Sequence, residues 1–133
     1  MTKQQRKTIE REFYKYEWNR REATNHTVTA VAYNSSAPDG ERVKTSSGNK
    51  NEQLMIRAIY ETEQMLGWVK VFEKTLDKFK WEHKDKLMRK RYIERKSIWR
   101  TCEEIGISRA TYFYWLEDIM QTAFMWALEL KLF

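Results

Sequence analysis

The side chains best placed to do chemistry lie between Ser97 and Leu116, and the chemistry they suit is recognition rather than bond-making. Ile98, Thr101, Cys102 and Ile105 recur at steps of three and four, which puts small and apolar groups on one helical face. Gly106 ends that helix, because a tight turn asks one residue for positive φ, which glycine adopts at little cost. Ile107 follows as a plug between two helices, and Ser108 can accept hydrogen bonds from the free N–H groups that open the second. There Tyr112, Trp115, Leu116 and Ile119 fall on the inner side, leaving Arg109, Ala110, Thr111, Phe113 and Tyr114 as the leading surface. A helix held this way can enter a DNA major groove by its first turn. An ordinary helical hairpin is the alternative, since glycine, an apolar residue and serine restart helices in many folds.

Charge supports the first reading. The chain of 133 residues carries a net charge of +6, and the stretch from Lys78 to Arg100 holds ten basic residues against Glu82, Asp85 and Glu94. That segment alone is therefore +7 and the remainder nearly neutral. Lys84, Arg89, Lys90, Lys96 and Arg100 are the candidate phosphate contacts, although charge runs are more often simply solvated faces.

The elements that must position these residues read as all-α. A charged helix is expected over residues 1–32, with Ile9, Phe13, Tyr16 and Arg20 as a narrow inward stripe. Residues 33–51 read as a flexible linker, because Ser35-Ser36, Pro38-Asp39-Gly40 and Thr45-Ser46-Ser47-Gly48-Asn49 all favour turns. A long amphipathic helix follows over 52–80, with Met55, Ile59, Thr62, Leu66, Val69, Phe72, Leu76 and Phe79 inward and Gly67 as a weak point. It pairs with the first helix as an antiparallel hairpin, or with another chain as a coiled coil.

Residues 81–133 form the expected recognition domain. A helix from about Glu82 to Arg95 turns Leu87, Met88 and Tyr92 inward and Lys84, Lys86, Arg89, Lys90, Arg91 and Arg95 outward. The second helix of the motif then runs on to the apolar end of the chain, either lying back on the long helices or joining a second copy. A homo-oligomer fits the way paired subunits meet DNA sites.

Several classes are disfavoured. No Ser/His/Asp or Cys/His set is visible and the carboxylates are scattered, so no catalytic residue is assigned and an enzyme is not expected. His26 and His83 stand apart and Cys102 is the sole cysteine, so neither a metal site, a cofactor nor an internal disulfide is expected. No apolar run approaches membrane-spanning length and the first residues lack a signal peptide's apolar core, which places the protein in the cytoplasm without a membrane partner.

Over Leu87-Met-Arg-Lys-Arg-Tyr-Ile-Glu-Arg-Lys-Ser-Ile-Trp-Arg-Thr-Cys-Glu-Glu-Ile-Gly-Ile-Ser-Arg-Ala-Thr-Tyr-Phe-Tyr-Trp-Leu116 the sequence resembles the RinA and ArpU families of phage transcriptional regulators. Their C-terminal part is similar to the fourth region of bacterial sigma factors. The layout of charged helix, Ser/Gly-rich linker and long helix also looks like those families. The resemblance implies a C-terminal helix-turn-helix of sigma region 4-like type in a phage or prophage activator of late packaging and lysis genes. Such a protein binds upstream DNA and works with host RNA polymerase in the bacterial cytoplasm. It also implies that base readout falls on Ser108, Arg109, Thr111, Phe113 and Tyr114. Among these, Arg109 can hold a guanine edge, and Phe113 or Tyr114 can touch thymine methyl groups. The aromatic run Tyr112-Phe113-Tyr114-Trp115 departs from the polar base-readers usual at such positions. Two alternatives remain open: a DNA-packaging protein resembling small terminase subunits, and a helical protein-interaction module whose basic segment meets an acidic partner.

Overall fold

The computed structural model describes the backbone of residues 1–35 and 46–133, and the side chains of 1–25 and 51–133. Every regular element among these residues is helical. In chain order they are α1 (Lys3–Tyr14), α2 (Tyr16–Ser35), α3 (Ser46–Phe79), α4 (Lys84–Met88), which continues as a π-helical turn (Arg89–Ile93), α5 (Ile98–Ile105) and α6 (Arg109–Glu129).

The first expected helix is two. Thr2 opens α1 with a reciprocal cap, its side chain accepting from the Gln5 N–H while the Gln5 side chain accepts from the Thr2 N–H. The chain then bends at Lys15, and the inward positions move from Ile9 and Phe13 to Asn19 and Ala23, so Arg20 of the expected stripe is exposed. Asn19 is buried but satisfied, because it donates to Glu12 across the bend at 2.9 Å. Of the linker expected over 33–51, Tyr33–Ser35 close α2 and residues 46–51 open α3; the remainder, with Pro38-Asp39-Gly40, lies outside the described residues.

The 34 residues of α3 make a rod about 50 Å long at 1.5 Å per residue. Tyr16, at the start of α2, stacks on Phe72 at 4.2 Å and donates to Glu73, near the other end of α3, so the two helices pair antiparallel within the chain. The face buried by α3 is wider than one stripe. Trp68, Val71 and Thr75 are buried together with Val69, Phe72 and Phe79, since α6 packs on one flank while α1 and α2 pack on another. Ile59 and Leu66 of the expected stripe are instead exposed.

The end of α6 folds back onto this rod. Leu132 N–H bonds to the Ala127 carbonyl and Lys131 N–H to that of Leu128, with Lys131 left-handed at φ 58°, a Schellman closure without glycine. The closure lays Leu132 over Gly67 and sets Phe133 edge-on to Trp68 at 5.5 Å. Gly67 is thus less a flaw in α3 than the site of a close approach: a Cβ there would stand 2.7 Å from a Leu132 methyl. One core joins Ile9 and Phe13 of α1, Phe72 and Phe79 of α3, Leu87 and Met88 of α4, Tyr92, and Tyr112, Leu116, Ile119 and Met120 of α6. Residues 81–133, expected as a domain of their own, share that core with residues 1–80. No helix among the described residues is long and apolar enough to cross a membrane.

Candidate nucleic-acid interface

Local sequence sets the α5–turn–α6 unit. Ser97 caps α5, its hydroxyl accepting from the Arg100 N–H at 3.1 Å, and Gly106 ends it at φ 81°. The N–H groups of Gly106 and Ile107 both close on the Cys102 carbonyl. Ser108 then caps α6 by accepting from the Thr111 N–H at 3.1 Å, and its own hydroxyl donates to Thr111 Oγ1 at 3.0 Å. Thr101 is buried, while Ile98, Cys102, Ile105 and Ile107 are half-buried against the core.

The first turns of α6 divide sharply. Tyr112 and Leu116 are buried and Trp115 half-buried, whereas Ser108, Arg109 and Ala110 are exposed, Phe113 is 44% exposed and Tyr114 74%. Thr111 is half-buried beneath Ser108. The Arg109 guanidinium sits 5.7 Å from the centre of the Phe113 ring and has no carboxylate partner among the described residues. Arg109 and Phe113 therefore form a solvent-facing pair of a cation and an aromatic ring, and Tyr114 is exposed further round the same helix start.

A network missed by periodicity holds this patch in place. Arg91, expected on the outer face, turns inward and donates from Nε to Glu10 at 3.0 Å and from Nη1 to the Tyr112 hydroxyl at 2.7 Å. Tyr92 donates to the same Glu10 carboxylate at 2.8 Å, and the rings of Tyr14, Tyr92 and Tyr112 surround the guanidinium. The π-helical turn makes this reach possible by spacing Arg91 and Tyr92 differently from a regular helix. Burial, with the Glu10 carboxylate beside it, pushes the Tyr92 phenol well above its usual range. Burial also raises Tyr112, although Arg91 opposes the shift. No sequence pattern signals a carboxylate paired with an arginine 81 residues away.

The expected phosphate residues do not form one open field. Lys90, Lys96 and Arg100 converge on Glu104, at 3.6, 2.6 and 3.7 Å from its oxygens. Lys96 also pairs with Glu94 at 3.0 Å. Hydrogen bonds to Glu104 and Glu94 raise the Lys96 pKa, and the bond from Lys96, with the charges of Lys90 and Arg100, lowers that of Glu104. Arg89 reaches outward, 3.9 Å from Asp85 with its side chain 57% exposed. Lys84 lies apart, bonded to Asp118 of α6 at 2.9 Å over the Phe79 ring, its side chain only 15% exposed. The Arg100–Glu104 spacing of four was visible in the sequence; the approach of Lys90 and Lys96 depends on how α5 packs. Trp99, out of phase with the inward stripe of α5, and Trp81 beside Lys80 are 71% and 84% exposed.

Fold and site define an all-helical protein that presents a cation-and-aromatic helix start beside a clustered basic segment. Residues 43–123, more than half of the chain, match the family described as a protein of unknown function, DUF1492, and the chain belongs to that family. Comparison with curated proteins and with solved structures finds no match.

Proposed function

We propose that this protein is a sequence-specific DNA-binding transcriptional regulator in which the first turns of α6 enter the major groove. The observation that carries the reading is the division of α6: Tyr112 and Leu116 are buried while Arg109, Phe113 and Tyr114 face solvent. The Arg109 guanidinium, beside the Phe113 ring, has no carboxylate partner among the described residues, which leaves it free to meet an external acceptor. Arg109 reads a guanine edge, Phe113 and Tyr114 contact thymine methyls, and Ser108 and Thr111 stand at the groove entrance. Arg89, Lys90, Lys96 and Arg100 hold phosphates, with Lys84 available once it leaves Asp118. The likeness of residues 87–116 to RinA and ArpU regulators supports a narrower reading: a phage or prophage activator of late genes. It would act with host RNA polymerase in the bacterial cytoplasm through a sigma region 4-like helix-turn-helix.

Selection from a random duplex pool, followed by titration of the selected site and of random DNA at several salt concentrations, tests the proposal. Binding is expected to weaken steeply with salt, and Arg109→Ala to cost about 1–3 kcal/mol on the selected site and relax preference at one base pair. Failure of the pool to enrich any sequence, or Arg109→Ala binding both duplexes as the wild type does, removes the groove assignment.

A further inference from the structure

Three of the proposed phosphate-binding cations are already committed to a carboxylate. Lys90 comes from the π-helical turn, Lys96 from the loop that follows and Arg100 from α5, yet all three nitrogens lie within 4 Å of Glu104. Glu104 stands one turn beyond Arg100 on the exposed face of α5. A carboxylate offers two oxygens and one negative charge, which is what a phosphodiester offers through its two free oxygens. Cations drawn from three separate segments and converging on such a group form a site matched to a phosphodiester. Glu104 occupies that site.

We infer that Glu104 is an internal surrogate for a DNA phosphate, which the backbone must displace before Lys90, Lys96 and Arg100 engage it. The inference rests on the DNA-binding reading proposed above. Its consequence is restraint: the three cations share one carboxylate that a phosphate must replace, and Lys96 is held by Glu94 as well, so net attraction is smaller than the basic count suggests. The displaced carboxylate then lies close to the incoming phosphate and repels it. Since phosphate contacts carry no base information, the restraint applies equally to every duplex. Weak attraction to random DNA leaves discrimination to the Arg109 patch.

Glu104→Gln tests this, with Glu103→Gln as the matched control. Glu103 is exposed on the same helix, carries the same charge and has no ion pair among the described residues. Both substitutions remove a negative charge from near the C-terminal end of α5, which the helix dipole tolerates well. Glu104→Gln is expected to tighten binding to selected and random duplexes by the same factor, about two- to five-fold at low salt. The salt dependence steepens with it, by up to about 0.9 in log–log slope, because a single negative charge is removed. Glu103→Gln is expected to give less than a third of that gain. A second pair of variants does not depend on the size of the gain: Lys96→Gln weakens binding several-fold more in the Glu104→Gln background than in the wild type. Equal effects of the two glutamate substitutions, or equal effects of Lys96→Gln in both backgrounds, overturn the inference while wild-type binding still stands. Absence of DNA binding by wild type and variants alike overturns the DNA reading itself, and this inference with it.

Discussion

Arg91 shows how one side chain ties the start of α6 to the rest of the fold. Its guanidinium links Glu10 of α1 to the hydroxyl of Tyr112, the residue directly before Phe113. Replacing it by methionine keeps most of the packing but leaves the Glu10 carboxylate without its cation and the Tyr112 hydroxyl without its donor. The expected loss is about 2 kcal/mol in urea unfolding, below the range for fully buried pairs because both partners keep some solvent contact. Arg91→Lys keeps the charge but cannot make both bonds, so it should fall between. Tyr92 adds a pH signature at the same place. Its phenol is held well above the ordinary value of 10.0 in the folded state, chiefly by burial. The unfolded chain therefore releases this proton first. Stability is full below about pH 10 and falls as pH rises beyond it toward the folded value. Tyr92→Phe should flatten that alkaline decline, measured as unfolding midpoints across the alkaline range, although it also loses the bond to Glu10. An equally steep decline in the variant would assign the effect to other tyrosines.

At the scale of elements, the tension lies between what α3 prefers and what lies across it. Glycine at position 67 costs a helix interior roughly 1 kcal/mol relative to alanine, but Leu132 occupies the space that a Cβ needs. Gly67→Ala alone should therefore gain little or lose, because the Leu132 side chain must swing off the rod and give up its packing. In a Leu132→Ala background the same substitution should recover most of the roughly 1 kcal/mol. Additive effects in thermal or urea unfolding would mean that the two residues do not meet. The same tension explains which elements were legible. Ser97, Gly106 and Ser108 signal locally, through caps and positive φ, and α5 begins and ends, and α6 begins, where those residues stand. Leu87, Met88 and Tyr92 likewise face inward as their spacing suggests. The bend at Lys15, the left-handed His83 and Arg95, and the π-helical turn arise from tertiary fit, and no proline or glycine marks them. The exposed start of α6 was readable for the same local reason, whereas Glu10, Arg91 and the Glu104 cluster are brought together only by packing.

For the molecule as a whole, α6 is a structural beam as well as the helix proposed to enter DNA. Beyond its first turns, α6 buries Ile119, Met120, Ala123 and Ala127 in a core that contains Ile9 and Phe13 of α1 and Trp68, Val71 and Phe72 of α3. Arg6 of α1 pairs with Glu117 on its flank, and Lys74 of α3 lies 4.4 Å over the Trp126 ring. A fragment of residues 81–133 keeps α5 and the turn but loses the partners of that apolar face. Burial of such side chains is worth about 1.5–3 kcal/mol each, and a 53-residue piece has little else to offset its conformational entropy. The fragment is therefore expected to show no cooperative thermal transition by circular dichroism, to self-associate through the uncovered face of α6, and to bind duplex DNA more weakly than the full chain. The full chain should unfold in one step, with near-ultraviolet and far-ultraviolet signals coinciding. A fragment that melts cooperatively and binds like the parent would show that residues 1–80 serve another purpose than holding α6 in place. The expected outcome makes α1 and α3 the frame that keeps Arg109, Phe113 and Tyr114 turned outward, and it predicts that core substitutions far from DNA, Phe13→Ala among them, weaken binding through the fraction folded rather than through the interface.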